Sequence, residues 1–226
     1  MKTVCTLGNS GFIGNAVSEI LARSFSVNNS KEYDILVNCA GFSRMYEGSK
    51  NPEKMRSVEN SIFDRITAIS FDRLIHISTV YIDVYPDDIY SKIKIDMENR
   101  ILNKYPNATI LRLGGVVGPG LKKNVVFDLL NNKQLFVTED SVYNYISTGE
   151  IAEIVAHIIN NPQAGIINVA ASSSISSHDI AAMLNKTPIY GSKKEIIYVD
   201  TSVLQKFYAV KRSDEYLTEF FKTYEY

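Results

Sequence analysis

The stretch VCTLGNSGFIG, residues 4–14, decides the fold, because it joins a short apolar run to three glycines spaced three apart, Gly8, Gly11 and Gly14. A helical pattern of apolar residues follows it. Glycine adopts dihedrals that other residues avoid, and without a Cβ it lets the backbone approach a phosphate. The N–H groups at the start of the next helix favour a bound anion. The stretch therefore predicts a strand–turn–helix unit that holds a pyrophosphate, with a plain tight turn as the alternative. A Walker loop is excluded, because no Gly-Lys-Ser/Thr follows.

Apolar runs and helical patterns alternate along the rest of the chain. Runs predicted as strands are 35–39, 74–79, 109–113 and 166–170, and predicted helices are 52–69, 90–105 and 151–159. Continuously apolar strands are typical of a parallel sheet that helices cover on both faces. We therefore expect a Rossmann-type, doubly wound α/β fold.

The composition excludes some classes of protein. With 45% hydrophobic and 22% charged residues, the chain of 226 residues predicts a globular protein. A formal net charge of −1 gives no bias toward nucleic acid or an anionic membrane. No apolar run approaches the roughly 20 residues that span a bilayer, and the N-terminus lacks a signal-peptide pattern. We expect a soluble, cytoplasmic protein without nucleic-acid or membrane partners.

The cysteines and histidines indicate no metal site. Cys5 and Cys39 lie in apolar runs and form no CxxC pair, which favours buried thiols in a reducing compartment. His76 lies within a predicted strand and is expected to pack in the core. His157 and His178 fall on predicted helices without partners at metal spacing.

An acidic residue about 20 positions beyond such a glycine turn often holds the ribose of a dinucleotide. Asp34 stands at that distance, but it begins the run DILVNCAG rather than ending a strand, so we do not assign it this role. We expect the second strand in the short run Phe25–Asn28. Asn28–Lys31 at its end are then the candidates for the ribose, with Lys31 for a 2′-phosphate.

A second constellation follows the third predicted strand. Ser78 and Thr79 end this strand, at the end where α/β sheets bind ligands. Tyr90 and Lys94 stand four residues apart at a helix start and so share one face. A free tyrosine has a pKa of about 10, and a nearby ammonium lowers it toward the range useful for proton transfer. The spacing is common by chance, but its order after a glycine turn favours a catalytic set of Thr79, Tyr90 and Lys94.

Taken in order, these pieces resemble the extended short-chain dehydrogenase/reductase family, which includes nucleotide-sugar epimerases, dehydratases and dTDP-4-dehydrorhamnose reductase. The resemblance covers nearly the whole chain. LGNSGFIG resembles the family's glycine turn, and Tyr90-Ser91-Lys92-Ile93-Lys94 with Glu98 resembles its YxxSKxxxE helix. The most specific stretch is TILRLGGVVGPG, which matches the family's RxxxVYGPG segment. Further matching stretches are DILVNCAG, NPEKMRSVEN, HISTVY, NYISTGEIAEIV and GIINVAASSSIS.

The resemblance implies a nicotinamide cofactor, NADP or NAD, and a fold in two parts. It implies a Rossmann core over 1–118 and 146–171 and a small substrate-binding lobe over 119–145 and 172–226. Thr79, Tyr90 and Lys94 are the implied catalytic residues, and Lys94 also binds the ribose. The implied cofactor-binding residues are Gly8, Ser10, Gly11, Phe12, Ile13, Gly14, Cys39, Ala40, Gly41, Asn60, Lys94, Leu113 and Val116.

Departures from the family pattern limit what carries over. Only about ten residues link the first helix to DILVNCAG, whereas a complete βαβ unit needs about 30, so the adenosine side of the pocket is expected to be open. The segment ending in Asn60 is one residue longer than the family's. Val80-Tyr81 stand where the sugar 4,6-dehydratases carry Asp-Glu, and Tyr143 replaces an arginine that often contacts the substrate diphosphate.

We therefore expect an NAD(P)-dependent oxidoreductase, a ketone reductase or an epimerase, that acts on a sugar or a nucleotide-linked sugar. A reductase is favoured, because a shortened adenosine pocket makes the tight cofactor retention of an epimerase harder. The alternative is a catalytically silent relative that serves as a binding or regulatory subunit. Two apolar stripes on the helix over 90–105 also predict a homodimer.

Overall fold

The computed structural model describes residues 2–27 and 32–224. The elements up to residue 113 are β1 (Val4–Leu7), α1 (Phe12–Ser24), β2 (Glu32–Asn38), α2 (Met45–Lys50), α3 (Pro52–Thr67), β3 (Ser70–Thr79), α4 (Tyr81–Val84), α5 (Ile89–Lys104) and β4 (Thr109–Leu113). The later elements are β5 (Gly115–Val117), α6 (Val125–Leu130), β6 (Val142–Tyr143), β7 (Tyr145–Ser147), α7 (Thr148–Asn160), β8 (Gly165–Val169), β9 (Ile175–Ser176), α8 (Ser177–Met183), α9 (Ser202–Gln205) and α10 (Ser213–Thr223).

Five strands form a central parallel sheet in the order β1-β2-β3-β4-β8. The pairing β1 with β2 aligns Leu7 with Asn38, and β2 with β3 aligns Asn38 with His76. The carboxyl ends of these three strands therefore meet at one edge of the sheet, which is where such sheets bind ligands. The predicted Rossmann-type α/β fold is confirmed.

On its outer side, β1 is bordered by a single bridge to Ser26 rather than by a complete strand. Val4 N donates to Ser26 O over 2.9 Å, and Ser26 N donates to Lys2 O over 3.1 Å. The predicted strand Phe25–Asn28 is thus reduced to this bridge within the described residues. The ribose candidates Asn28–Lys31 lie outside the residues that the structure describes.

The chain divides into two compact units. The first comprises residues 1–112 and 151–167, and the second comprises 113–150 and 168–226. The boundaries between the units lie after residues 112, 150 and 167. The boundaries expected from the resemblance lie after residues 118, 145 and 171. The second unit contains two two-stranded sheets, β5 with β7 and β6 with β9. The substrate-binding role of the second unit stays a prediction.

Helices α3 and α5 pack their apolar sides into the core of the first unit. Met97 and Ile101 of α5 belong to one buried cluster together with Ile62 and Ile66 of α3. The second apolar stripe of this helix consists of Ile95 and Leu102, and Leu102 packs half-buried against this same cluster. Part of the second stripe is therefore covered within the chain itself, and the homodimer stays a prediction.

Within residues 2–27 and 32–224, no helix combines the length and the apolar character that a membrane span requires. In the same residues no three His, Cys, Asp or Glu side chains are grouped so that they would hold a metal ion.

Candidate active site

The glycine turn between β1 and α1 is tightly closed. Gly8 has a φ of +79°, and a Cβ built there would lie 2.5 Å from the backbone nitrogen of Ala40. A Cβ on Gly14 would lie 1.9 Å from the carbonyl oxygen of Gly8. Gly11 is the N-cap of α1 and brings no side chain that accepts from the first N–H groups of the helix. Close packing thus requires Gly8 and Gly14, and Gly11 leaves the helix N-terminus uncapped.

Exposure along the turn is uneven. Ser10 and Gly11 are exposed, Phe12 and Ile13 are half-buried, and Gly14 is buried. The exposed part of the turn is the part that precedes the uncapped helix end. The two features together leave backbone N–H groups accessible to an anion.

The segment after β2 lies directly against the turn and against Lys94. Cys39 and Ala40 are half-buried, and the backbone of Ala40 is the surface that a side chain at Gly8 would strike. A Cβ on Gly41 would lie 3.0 Å from Lys94 Nζ. The structure thus brings three of the predicted cofactor residues, Gly8, Gly41 and Lys94, into one neighbourhood.

Tyr90 is the second residue of α5, the helix that carries the predicted catalytic pair, and its ring is buried. Its exposed fraction is 4%, and its hydroxyl donates to the carbonyl oxygen of Phe42 over 3.3 Å. Gly48 of α2 packs against the ring, since a Cβ there would lie 2.9 Å from Tyr90 Cδ2. Burial raises the pKa of Tyr90, and the negative charge of Glu59 raises it further.

Lys94 forms a buried ion pair that the sequence analysis did not foresee. Its Nζ lies 2.5 Å from Glu59 Oε1, and the two side chains are 6% and 3% exposed. The same carboxylate oxygen accepts from the backbone N–H of Phe42 over 2.8 Å. Lys94 Nζ lies 5.9 Å from the centroid of the Tyr90 ring. The ammonium therefore stands beside the phenol, but its charge is balanced by Glu59.

The sequence pattern contains a signal for Glu59. Met55, Glu59, Ile62 and Ile66 recur at helical spacing, and all four are buried on α3. A carboxylate within a buried apolar stripe requires a buried partner. Asn60, which was predicted in its place, is exposed, and its side chain accepts from Arg100 over 2.6 Å.

Thr79 ends β3 in a half-buried position, where its Oγ1 accepts from the backbone N–H of Tyr81 over 3.3 Å. That bond leaves the hydroxyl hydrogen of Thr79 available to donate. The preceding Ser78 donates to Glu98 of α5 over 2.5 Å. Because Glu98 is on the same helix as Tyr90 and Lys94, this bond fixes the end of β3 against the helix that carries the pair.

Arg112 completes this anchor. Its Nη2 lies 2.6 Å from Glu98 Oε2, and its Nη1 lies 2.7 Å from Asp83 of α4. The side chain of Glu98 is 2% exposed, so the pair is largely shielded from water. Arg112 thus ties β4 to α4 and α5, which is a structural role.

His76 lies behind the site in the core, as expected from its position in a strand. Its Nδ1 lies 2.9 Å from Asn38 Nδ2, and the residue is 1% exposed. Burial, assisted by the positive charge of Lys94, lowers the pKa of His76 to about 3. The imidazole is therefore neutral at physiological pH and accepts the hydrogen bond from Asn38.

This shift predicts a pH-dependent stability. The unfolded chain binds a proton at His76 below a pH of about 6.5, whereas the folded chain does so only near the lowered pKa. The free energy of unfolding is therefore highest above about pH 6.5 and falls as the pH is lowered, by up to about 1.4 kcal/mol per pH unit. We expect His76→Gln to remove this contribution, as measured by urea unfolding between about pH 4 and 7. Parallel slopes in wild type and variant would contradict it.

Four further residues were singled out from the sequence. Asp34 accepts from the backbone and the side chain of Thr3 over 2.6 and 2.8 Å, at the amino end of β2, in keeping with its exclusion as a ribose ligand. Leu113 is buried and Val116 is half-buried, and both belong to the second unit. Tyr143, also in the second unit, donates to Glu195 over 3.0 Å.

Comparisons with known proteins show the family and the fold of the chain. The model of a family described as the RmlD substrate binding domain matches residues 14–203. A search among curated protein sequences finds no match. Many solved structures share the fold at sequence identities below 25%, a level at which the likeness concerns the fold alone.

Three of these structures illustrate the kinds of protein that share the fold. The dTDP-4-dehydrorhamnose reductase from Clostridium acetobutylicum has a TM-score of 0.78 and 17% identity, over 98% of this chain and 99% of that chain. RMD from Pseudomonas aeruginosa, solved with NADPH, has a TM-score of 0.77 and 14% identity over the same shares. The UDP-glucose 4-epimerase from Thermus thermophilus, solved with NAD, has a TM-score of 0.75 and 16% identity over the whole of both chains.

Proposed function

Because the chain belongs to the RmlD substrate binding domain family, within the extended short-chain dehydrogenases/reductases, we propose that it is an NAD(P)-dependent oxidoreductase. Its proposed substrate is a sugar or a nucleotide-linked sugar, which reacts at a carbon that bears a carbonyl or a hydroxyl group. The observation that carries the proposal is the convergence of the Gly8 turn, Gly41 and the Tyr90–Lys94 pair at the carboxyl edge of the sheet.

The residues at this edge fit a dinucleotide. The exposed turn at Ser10 and Gly11 and the uncapped start of α1 offer backbone N–H groups to a pyrophosphate. Gly41 allows a close approach to the Lys94 ammonium, which is a donor for ribose hydroxyls. The cofactor-binding set implied by the sequence resemblance is Gly8, Ser10, Gly11, Phe12, Ile13, Gly14, Cys39, Ala40, Gly41, Asn60, Lys94, Leu113 and Val116.

One member of this set and the adenosine side of the site need comment. Asn60 is exposed and bonded to Arg100, so Glu59 takes its place beside Lys94 in the proposal. On the adenosine side, the residues described before the gap at 28–31 form a bridge at Ser26 and no strand, which supports a cofactor that exchanges between turnovers. This favours a reductase over an epimerase, since an epimerase must retain its cofactor through both half-reactions.

The proposed chemistry assigns one role to each catalytic side chain. When bound, the nicotinamide supplies or accepts the hydride. Tyr90 exchanges a proton with the substrate oxygen, and Thr79 donates a hydrogen bond to that oxygen from its free hydroxyl hydrogen. Lys94 orients the cofactor ribose and lies beside the phenol. For this to occur, the substrate oxygen must replace the carbonyl oxygen of Phe42 as the partner of Tyr90.

The names of the relatives support the choice of substrate. Reductases of dTDP-4-dehydrorhamnose and epimerases of UDP-sugars share the fold, and structures of relatives hold NADPH or NAD. A nucleotide-linked sugar is therefore the substrate class proposed for this chain, with either nicotinamide cofactor.

A second candidate is a catalytically silent subunit that retains the fold. Two observations favour it: the Tyr90 hydroxyl is engaged by Phe42, and the charge of Lys94 is balanced by Glu59. Both reduce the readiness of the phenol to act as a base. A silent subunit would bind substrate or partner without consuming nicotinamide.

Cofactor titration separates the two candidates. We expect NADH or NADPH to bind with a dissociation constant below about 1 mM. Nicotinamide fluorescence measures the binding. We expect Gly11→Asp to weaken binding at least about tenfold, because the carboxylate caps the N–H groups and repels the pyrophosphate. Gly149→Asp makes the same change of charge in the first turn of α7, and it should leave the affinity unchanged. Absence of binding by both nucleotides would favour the silent subunit.

A further inference from the structure

The buried pair of Glu59 and Lys94 carries an inference about the protonation state in which the site works. Lys94 Nζ and Glu59 Oε1 are 2.5 Å apart, and water is nearly excluded from both. Charges at this separation in such surroundings interact strongly. Seen from Tyr90, the ammonium and the carboxylate therefore act as a nearly neutral pair rather than as a lone positive charge.

The carboxylate is held in this position by its surroundings. Its Oε1 also accepts from Phe42 N, in the residue whose carbonyl oxygen accepts from Tyr90. Its Oε2 has no partner among the described residues. Glu59 also lines a polar cavity of about 190 Å³ together with Asn60, Asp96 and Arg100. Such a cavity has room for water.

The other titratable or charged groups on the elements around Tyr90 do not replace this effect. They are Cys39 just after β2, His76 on β3, Tyr81 on α4, Asp88 at the N-cap of α5, and Arg44, Tyr46, Glu47 and Lys50 on α2 and just before it. His76 is neutral because its pKa is lowered to about 3. Asp88 accepts from the backbone N–H of Tyr90. On α2, Arg44 pairs with Glu47, and Lys50 lies over the Tyr46 ring.

From this geometry we propose that Glu59 is a positioning residue which neutralises Lys94 and thereby keeps Tyr90 protonated, so that the site is set to donate a proton to a ketone. The proposal rests on the proposed function and specifies its direction. The raised pKa of Tyr90, due to burial and to the charge of Glu59, agrees with it.

The step is balanced as follows. The carbonyl carbon accepts the hydride that the reduced nicotinamide supplies, and the carbonyl oxygen takes the phenol proton of Tyr90. A ketone becomes a secondary alcohol, and the tyrosine, left as phenolate, regains a proton from solvent. A reaction that begins with an alcohol requires the phenolate at the start, which the Glu59–Lys94 pair disfavours.

The first test measures the titration of the Tyr90 phenol, which needs no substrate. NMR of isotope-labelled tyrosine follows the phenol in wild type and in Glu59→Gln, and Tyr90→Phe assigns its signal. We expect the midpoint in Glu59→Gln to fall by about 1 to 3 pH units, because Lys94 then acts as an unbalanced charge. Asp96→Asn removes an exposed carboxylate from the same cavity and should change nothing.

Folding of the variants is checked by circular dichroism. Should Glu59→Gln not fold, Glu59→Asn is used, because the cavity then allows water to reach Lys94. Glu59→Asp retains the charge and should keep the phenol protonated as in wild type. An unchanged Tyr90 midpoint in a folded neutral variant would overturn the proposal. Loss of the fold in both neutral variants would also overturn it, since Glu59 would then be a residue of stability alone.

The second test uses dTDP-4-dehydrorhamnose and NADPH as probes. We expect kcat/KM to begin to fall at a higher pH in wild type than in Glu59→Gln. The difference between these two pH values should equal the shift of the phenol midpoint. A profile unchanged in Glu59→Gln would overturn the proposal. Should no nucleotide sugar be turned over by wild type, the proposed function fails, while the phenol titration still decides the role of Glu59.

Discussion

Replacing Tyr90 by phenylalanine should reduce turnover by about 10²- to 10⁴-fold, the range that a positioned general acid contributes. The ring can keep its contact with Gly48 of α2 without its hydroxyl, since among the described residues one hydrogen bond of 3.3 Å, to Phe42 O, is lost. The stability of the fold should therefore change by only about 1 kcal/mol. The rate is measured as NADPH consumption with dTDP-4-dehydrorhamnose, and cofactor affinity is measured by fluorescence.

Tyr105→Phe is the matched control for this variant. Tyr105 follows the last turn of α5 and packs against Phe71, with ring centroids 5.0 Å apart. Removing its hydroxyl changes the same helix without touching the candidate site, so the rate should stay at the wild-type value. Equal rates in Tyr90→Phe and wild type would remove Tyr90 from the mechanism and favour the silent subunit.

Replacing Gly8 by alanine should lower the free energy of unfolding by about 2–5 kcal/mol. The φ of +79° costs about 1–2 kcal/mol for a residue with a Cβ. The Cβ would also lie 2.5 Å from the backbone nitrogen of Ala40, and overpacking of this kind costs about 1–3 kcal/mol. Urea unfolding measures the change. We also expect weaker NAD(P)H binding, because the clash displaces the turn or the segment at Ala40.

Gly165→Ala separates the two contributions. Gly165 has a φ of +93°, and a Cβ there meets no atom within 4 Å. It belongs to the same unit as Gly8 and should lose only the part due to the dihedral, about 1–2 kcal/mol. A loss for Gly8→Ala no larger than that for Gly165→Ala would mean that the turn does not depend on its contact with Ala40.

Sequence patterns located the long elements well, because each buries a regular apolar face. The strand predicted at 109–113 coincides with β4, and the helix predicted at 52–69 differs from α3 by two residues at its end. Helix α2 was missed, because its six residues are too few for a helical period and include a glycine. Gly48 is needed there for contact with Met55 and Tyr90, which only the folded chain brings together.

Residues for the candidate site were proposed from the sequence, but the negative charge that balances Lys94 was not. Thr79, Tyr90 and Lys94 were found from their order and spacing, and their catalytic roles stay predictions. The balancing charge of Glu59 was missed, because Asn60 was chosen from the resemblance instead of from the buried stripe of α3. Which of two neighbouring polar residues faces inward depends on helical phase, and the stripe Met55, Ile62, Ile66 contains that information.

The ion pair between α3 and α5 also has a consequence for the order in which the chain assembles. Strands β1 to β3 are consecutive along the chain and can pair while later residues are still being synthesised. Glu59 precedes Lys94 by 35 residues, and burying its carboxylate without Lys94 would carry a large desolvation cost. We therefore expect α3 to pack onto the sheet together with α5, so that the segment at Gly41 and the helix that carries Tyr90 reach the native state in one cooperative step.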